Sequence, residues 1–129
     1  MNYSQYQWHD KKILIADDDS LSRKYFAKVL EPTKADLLFV KNGKEAVNYC
    51  SKNPRIDLVL MDIKMPIKDG LTATQELKKN FPRIPIIVET AYAFDYDKIN
   101  ALKSGADGYI TKPIPREKLF DMMEKYLSR

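Results

Sequence analysis

Ile13-Leu14-Ile15-Ala16-Asp17-Asp18-Asp19 decides how this chain is read, because a short apolar run stops abruptly on three carboxylates. Lys12 to Ala16 is too short for a buried helix and rich enough in β-branched residues to be a strand. Three further runs end on a polar group: Asp62 after Leu58-Val59-Leu60-Met61, Thr90 shortly after Ile86-Ile87-Val88, and Lys112 after Tyr109-Ile110. Parallel strands open their carboxyl ends on one edge of a sheet. If these runs are neighbours, carboxylates, a hydroxyl and an ammonium converge there. Such a set can hold a divalent metal and accept a phosphoryl group.

Working outward, helical and extended patterns alternate. Asp19 or Ser20 can cap a helix with Leu21, Tyr25, Val29 and Phe26 as its apolar side, closed by Glu31-Pro32. Ala35 to Val40 reads as a strand. Asn42 with Glu45 three residues on is a capping box opening a helix through about Cys50. Asp57 to Met61 is a strand apolar on both faces, as a central parallel strand is. Leu71 to Asn80 is helical with Leu71 and Leu77 inward, Pro85 to Glu89 a strand, Asp95 to Ser104 a helix, and Asp107 to Thr111 a strand. A last helix runs from about Arg116 to Leu127, with Leu119, Phe120, Met123 and Leu127 at helical spacing. Strands alternating with helices require a parallel sheet covered on both faces by right-handed crossovers. The expected fold is therefore α/β, a doubly wound five-stranded parallel sheet in flavodoxin-like order 2-1-3-4-5. Its switch point lies between strands 1 and 3, where Asp17 to Asp19 and Asp62 stand.

The chain has 129 residues, enough for one domain with a proper core. Its net charge of +4 comes from lysines spread along the chain, not clustered as a nucleic-acid footprint would be. No direct nucleic-acid binding is expected. The single Cys50 excludes an internal disulfide and suits a reducing compartment. No run approaches eighteen apolar residues, and Met1 to Asp10 has no signal-peptide core, so the segment is expected to be cytoplasmic and without membrane contact. Asn2-Tyr3-Ser4-Gln5-Tyr6-Gln7-Trp8-His9 is polar-aromatic and non-periodic. Residues 1–10 read as a tail or linker stub, with His9 at the surface, and 11–129 as the domain.

Carboxylates crowded within about 4–6 Å repel, each close pair costing about 4 kcal/mol at an effective dielectric near 20. Either one is protonated or a cation sits between them. Hard oxygen ligands open to water suit Mg²⁺, with Mn²⁺ as an alternative, over Ca²⁺ or Zn²⁺. Asp62, after an unbroken buried strand, stands centrally as a nucleophile should. Asp17 and Asp18 are then the metal carriers, Lys112 a mobile positive charge and Thr90 a hydroxyl donor, while Asp19 belongs to the helix cap.

These residues resemble the receiver domain of two-component response regulators over Lys11 to Arg129. The matching segments are Ile13 to Asp19, Asp57-Leu58-Val59-Leu60-Met61-Asp62-Ile63-Lys64-Met65-Pro66 with Asp69-Gly70, Thr90-Ala91, and Gly105 to Pro113. The resemblance implies that Asp62 accepts a phosphoryl group from a phosphohistidine on a sensor histidine kinase or histidine phosphotransfer protein. It implies Mg²⁺ bound by Asp17 or Asp18, Asp62 and the backbone carbonyl of Lys64. Thr90, Ala91 and Lys112 look like the phosphate-contacting residues, Thr90 and Tyr109 like the switch pair, and Lys112-Pro113 like the usual cis bond. Lys64 and Tyr92 flank the site and, by the same resemblance, would tune loss of the phosphoryl group. The readout face would lie near Asp95 to Leu127, where a homodimer is compatible. Thr90-Ala91-Tyr92 and the segment before Lys11 look like receivers of hybrid sensor histidine kinases, and a stand-alone receiver is also compatible. Such a domain is not a stand-alone enzyme.

One residue departs from the family pattern. Glu89 stands where an apolar or small residue is usual, and alternation points it away from Thr90 into a helix-covered face, where a carboxylate needs a partner. The rival reading is a haloacid-dehalogenase-like Mg²⁺-dependent phosphatase with Asp17 as nucleophile and Asp19 as acid. It leaves Asp62 without a task, and Leu21 stands where that family usually has Thr or Val.

Overall fold

The computed structural model describes residues 6–91 and 95–128. Five strands, β1 (Lys12–Ala16), β2 (Asp36–Val40), β3 (Leu58–Asp62), β4 (Ile86–Thr90) and β5 (Gly108–Thr111), form one parallel sheet in the order β2-β1-β3-β4-β5. The helices are α1 (Ser20–Leu30), α2 (Gly43–Lys52), α3 (Gly70–Asn80), α4 (Asp95–Lys103) and α5 (Arg116–Leu127). The doubly wound order expected from the alternation is the order found.

Side chains alternate along each strand, and that period divides the core into two layers. Leu14, Val59, Met61, Ile86 and Val88 pack with Ala46 and Cys50 of α2, Ala73 and Leu77 of α3, and Ala101 of α4. Ile13, Ile15, Leu58, Leu60, Ile87 and Ile110 pack with Phe26, Val29 and Leu30 of α1 and with Leu119, Phe120, Met123 and Leu127 of α5. β3 is buried at every position, which explains its unbroken apolar run.

Local signals set most helix ends. Asp19, Asn42 and Asp69 each cap a helix, their side chains accepting from the backbone N–H of Leu21, Glu45 and Thr72. Glu45 reaches back one residue past the cap, accepting from the Lys41 N–H at 2.7 Å instead of from Asn42, a shifted form of the capping box. α2 runs two residues past Cys50, to Lys52, with Asn53 as its end cap.

Two expectations are corrected. The inward side of α1 is Phe26, Val29 and Leu30, whereas Leu21 is 73% exposed and Tyr25 is also exposed. The supposed tail is also docked from Tyr6 onward. Trp8 is 3% exposed, its indole N–H donates to Glu124 at 2.8 Å, and its ring lies edge-on to Phe120 at 5.6 Å. Tyr6 meets the same Phe120 at 5.1 Å, and its hydroxyl donates to Asp121 at 2.9 Å. Two isolated aromatics carry no period, yet the gap between α1 and α5 offers them a large apolar contact. His9 is exposed, as expected. Residues 1–5 and Tyr92 lie outside the described residues.

Candidate functional site

The carboxyl end of the sheet gathers the acidic residues. Asp17 follows β1 directly, Asp62 closes β3, and one carboxylate oxygen from each of Asp17, Asp18 and Asp62 lies within 4.8 Å of the others. Asp17 is fully buried, Asp62 nearly so, and Asp18 is exposed. This set of hard oxygen donors, open on one side to water, fits a small divalent cation, which would relieve the repulsion among them.

Backbone contacts hold the cluster. The Asp19 N–H donates to Asp17 Oδ1 at 2.9 Å, and Arg23 Nη1 donates to the Asp17 carbonyl at 2.8 Å. Beneath Asp62, the Gly70 N–H donates to the Ile63 carbonyl at 2.8 Å, bringing the start of α3 against the end of β3. Only glycine allows that approach, because a Cβ on residue 70 would overlap the Asp62 carbonyl oxygen.

Lys112, just beyond β5, reaches across to the same place. Its Nζ lies 2.9 Å from Asp17 Oδ2, 3.8 Å from Asp62 Oδ1, 3.8 Å from Glu89 Oε1 and 3.3 Å from Ser22 Oγ. The Lys112–Pro113 peptide is cis, and the Lys112 N–H donates to the Thr90 carbonyl at 2.7 Å. Burial pulls the Lys112 ammonium down, but Glu89, Asp17 and Asp62 together hold its pKa above the ordinary value.

Burial is the largest influence on Asp62 and Glu89. Asp62 is pushed up to about 6 by desolvation, with Lys112 opposing, the Asp17 and Asp18 charges adding, and the Ile63 N–H opposing again. Glu89 is pushed well above the usual range, again by burial first, with Lys112 opposing and Asp17 and Asp62 reinforcing.

The sheet separates the remaining site residues. Asp62 and Glu89 are register partners, so both project to the α1/α5 face. Thr90, next in the chain, falls on the opposite face, where Tyr109 is half-buried beside the α2/α3/α4 layer. Thr90 itself is buried, Ala91 is exposed beyond it, and Lys64 is exposed two residues after Asp62. Asp19 is taken up by the α1 cap, accepting from Leu21 N and Ser22 Oγ. Ser22 and Arg23 escaped the sequence reading. Their signal was their position three and four residues after the cap, which returns a helical side chain to the strand end.

A profile of the response regulator receiver domain matches residues 13–124. The chain belongs to that family. It is 38% identical over 127 residues to hybrid signal transduction histidine kinase I of Dictyostelium discoideum, covering 92% of this chain and 7% of that protein. It is 38% identical over 119 residues to the chemotaxis protein CheY of Halobacterium salinarum, covering 92% of this chain and 98% of CheY. Its structure superposes on the receiver domain of a Pseudomonas aeruginosa sensor histidine kinase with a TM-score of 0.85 and 30% identity, covering 92% of this receiver and 98% of that chain. That domain holds a magnesium ion in its active-site cleft. The phosphatase reading is not favoured, since the match is to receivers and Asp19 caps a helix. Among the described residues, no helix of this receiver is long and apolar enough to cross a membrane.

Proposed function

We propose that this receiver accepts a phosphoryl group onto Asp62 from a phosphohistidine on a sensor histidine kinase or histidine phosphotransfer protein, in the cytoplasm. The observation that carries this reading is the meeting of three carboxylates within 4.8 Å of one another, with the Lys112 ammonium against them. In the transfer, an Asp62 carboxylate oxygen forms a bond to phosphorus as the phosphorus–nitrogen bond of the donor imidazole breaks. The electron pair of the broken bond returns to the ring nitrogen. Loss of the group is attack by water, which releases inorganic phosphate and restores the carboxylate.

Asp17, Asp18, Asp62 and the Lys64 backbone carbonyl would hold Mg²⁺, and Mn²⁺ shares the same ligand preference. The ion, when bound, supplies positive charge against the phosphoryl oxygens. Lys112 supplies the second positive charge from the opposite wall of the pocket. A cleft of about 520 Å³ on the far side of Lys112, lined by Leu21, Tyr25, Ala91, Pro113 and Ile114, would give the donor an apolar shelf. The exposure of Leu21 and Tyr25, unexplained by the core, fits such a partner.

The phosphoryl group adds about −1.5 to −2 charges. Thr90 and Ala91 would contact it, Thr90 turning its hydroxyl toward a phosphoryl oxygen while Tyr109 moves inward. Moving a switch from 1:99 to 99:1 needs about 5.5 kcal/mol, and one hydrogen bond to a charged group supplies about 1.5–3 kcal/mol. Lys112 and repacking around Tyr109 would supply the remainder. The readout face would be α4–β5–α5, where Ile99 and Leu102 stand exposed and a second copy could dock. The deciding experiment is intact mass after incubation with Mg²⁺ and acetyl phosphate. The expected result is a single phosphate adduct on the wild type, lost in Asp62→Asn. No adduct, or one undiminished in Asp62→Asn, refutes the assignment.

A further inference from the structure

Glu89, set apart by the sequence resemblance, has surroundings in the structure that suit no passive core residue. It is 0% exposed, neither carboxyl oxygen accepts a hydrogen bond, and its closest polar neighbour besides Lys112 is another carboxyl group, that of Asp17. Among the described residues its one nearby cation is Lys112, whose Nζ stands 3.8 Å from Oε1, while the same ammonium sits 2.9 Å from Asp17 and 3.8 Å from Asp62. The register that pairs Glu89 with Asp62 sends both side chains from adjacent strands to the same face, where Lys112 reaches them from beyond β5. A buried polar group without a partner is costly, so a mobile donor within reach will be drawn to it.

We propose that Glu89 is a positioning residue that competes with the phosphoryl group for the Lys112 ammonium, so that the unphosphorylated state is favoured. The inference rests on the receiver reading above. Asp17 and Asp62 are the other two carboxylates facing Lys112. In that reading both are engaged in the loaded site, Asp17 by the cation and Asp62 by the phosphoryl group. Glu89 is then the remaining acceptor for Lys112 inside the sheet. For Lys112 to turn fully toward a phosphoryl oxygen, it must leave Glu89 without any donor. An ionised or a neutral carboxyl offers Lys112 an acceptor alike, so the competition needs no particular protonation state.

The test uses beryllium fluoride with Mg²⁺ as the probe, a phosphoryl mimic that has been used to activate a structurally similar receiver. Its dissociation constant is measured by nuclear magnetic resonance titration of the whole chain. Glu89→Val removes the acceptor and fills the space with a residue that suits a central strand. It is expected to tighten binding about tenfold, the scale of the charge-assisted hydrogen bond that Lys112 would make to Glu89 on closing the 3.8 Å gap between them. Glu89→Gln keeps a carbonyl oxygen for Lys112 and is expected to stay within about threefold of the wild type on the same scale. In a Lys112→Met background, Glu89→Val is expected to change nothing, whether binding there is weak or absent. Glu89→Val binding no more tightly than the wild type overturns the proposal. So does the same tightening in the Lys112→Met background, or tightening by Glu89→Gln equal to that by Glu89→Val. If the wild type shows no binding and takes no phosphate from acetyl phosphate, the receiver reading has failed instead.

Discussion

Asp62→Asn should make the cation-free protein more stable, although it removes the proposed phosphoryl acceptor. The Asp62 carboxyl is displaced from an ordinary 3.8 to about 6, and burial is the largest cause. At about 1.36 kcal/mol per pH unit, ionised Asp62 costs the fold about 3 kcal/mol. The sign follows from the direction of the shift. A raised carboxyl is protonated more readily in the folded than in the unfolded chain, so stability falls as pH rises between 3.8 and about 6. The penalty is complete above pH 6 and absent below 3.8. Asn has the same shape and no charge, so at pH 8 with chelator we expect a gain of about 1–3 kcal/mol, the lower end if its amide is incompletely hydrogen-bonded. For a domain of this size that is a rise in Tm of roughly 4–12 °C. The assay is thermal unfolding by circular dichroism at several pH values, with and without Mg²⁺. The gain should shrink toward zero as pH falls from 8 to 4. It should also shrink when Mg²⁺ is added to the wild type, because the cation then offsets the repulsion. Equal or lower stability of Asp62→Asn at pH 8 in chelator would refute the account of a site strained by its own charge.

Three other outcomes follow from particular contacts. Gly70→Ala should cost at least about 1–3 kcal/mol, because its Cβ overlaps the Asp62 carbonyl oxygen, and should weaken Mg²⁺ binding by displacing Asp62; urea unfolding and Mg²⁺ titration check both. Trp8→Ala should cost about 3–5 kcal/mol in the same urea assay, the range for deleting a buried Trp, whereas a true tail residue would cost nothing. Thr90→Ala should still accept phosphate at Asp62 by intact mass, but its phosphorylated and unphosphorylated amide spectra should differ less than those of the wild type. Spectra as different as in the wild type would show that Thr90 is not the coupler.

Much of the site was legible because strands are local signals and their ends are marked. Asp17, Asp62, Thr90 and Lys112 each stop or closely follow an apolar run, and the alternation of elements admits few sheet orders. Asp19 was likewise readable as a cap, since capping depends on residues two and three positions away. Phe26 and Val29 of α1 face the core as helical spacing predicts, whereas Leu21 and Tyr25 do not, because spacing alone does not show where along the helix the sheet is met. Trp8 and Tyr6 were read as a tail because their partners, Phe120, Asp121 and Glu124, lie more than a hundred positions along the chain.

The chain's own order of residues determined that a parallel sheet would form, and that an acidic group, a hydroxyl and an ammonium would reach its carboxyl edge. Those properties depend on period, length and turn chemistry over a few residues at a time. Only the tertiary structure decided which of these groups share a face. Strand register places Glu89 with Asp62 and sends Thr90 to the side of Tyr109. Whether Glu89 had a partner depended on the reach of Lys112 from a strand two places away from β3, a non-local distance that no spacing in the sequence encodes.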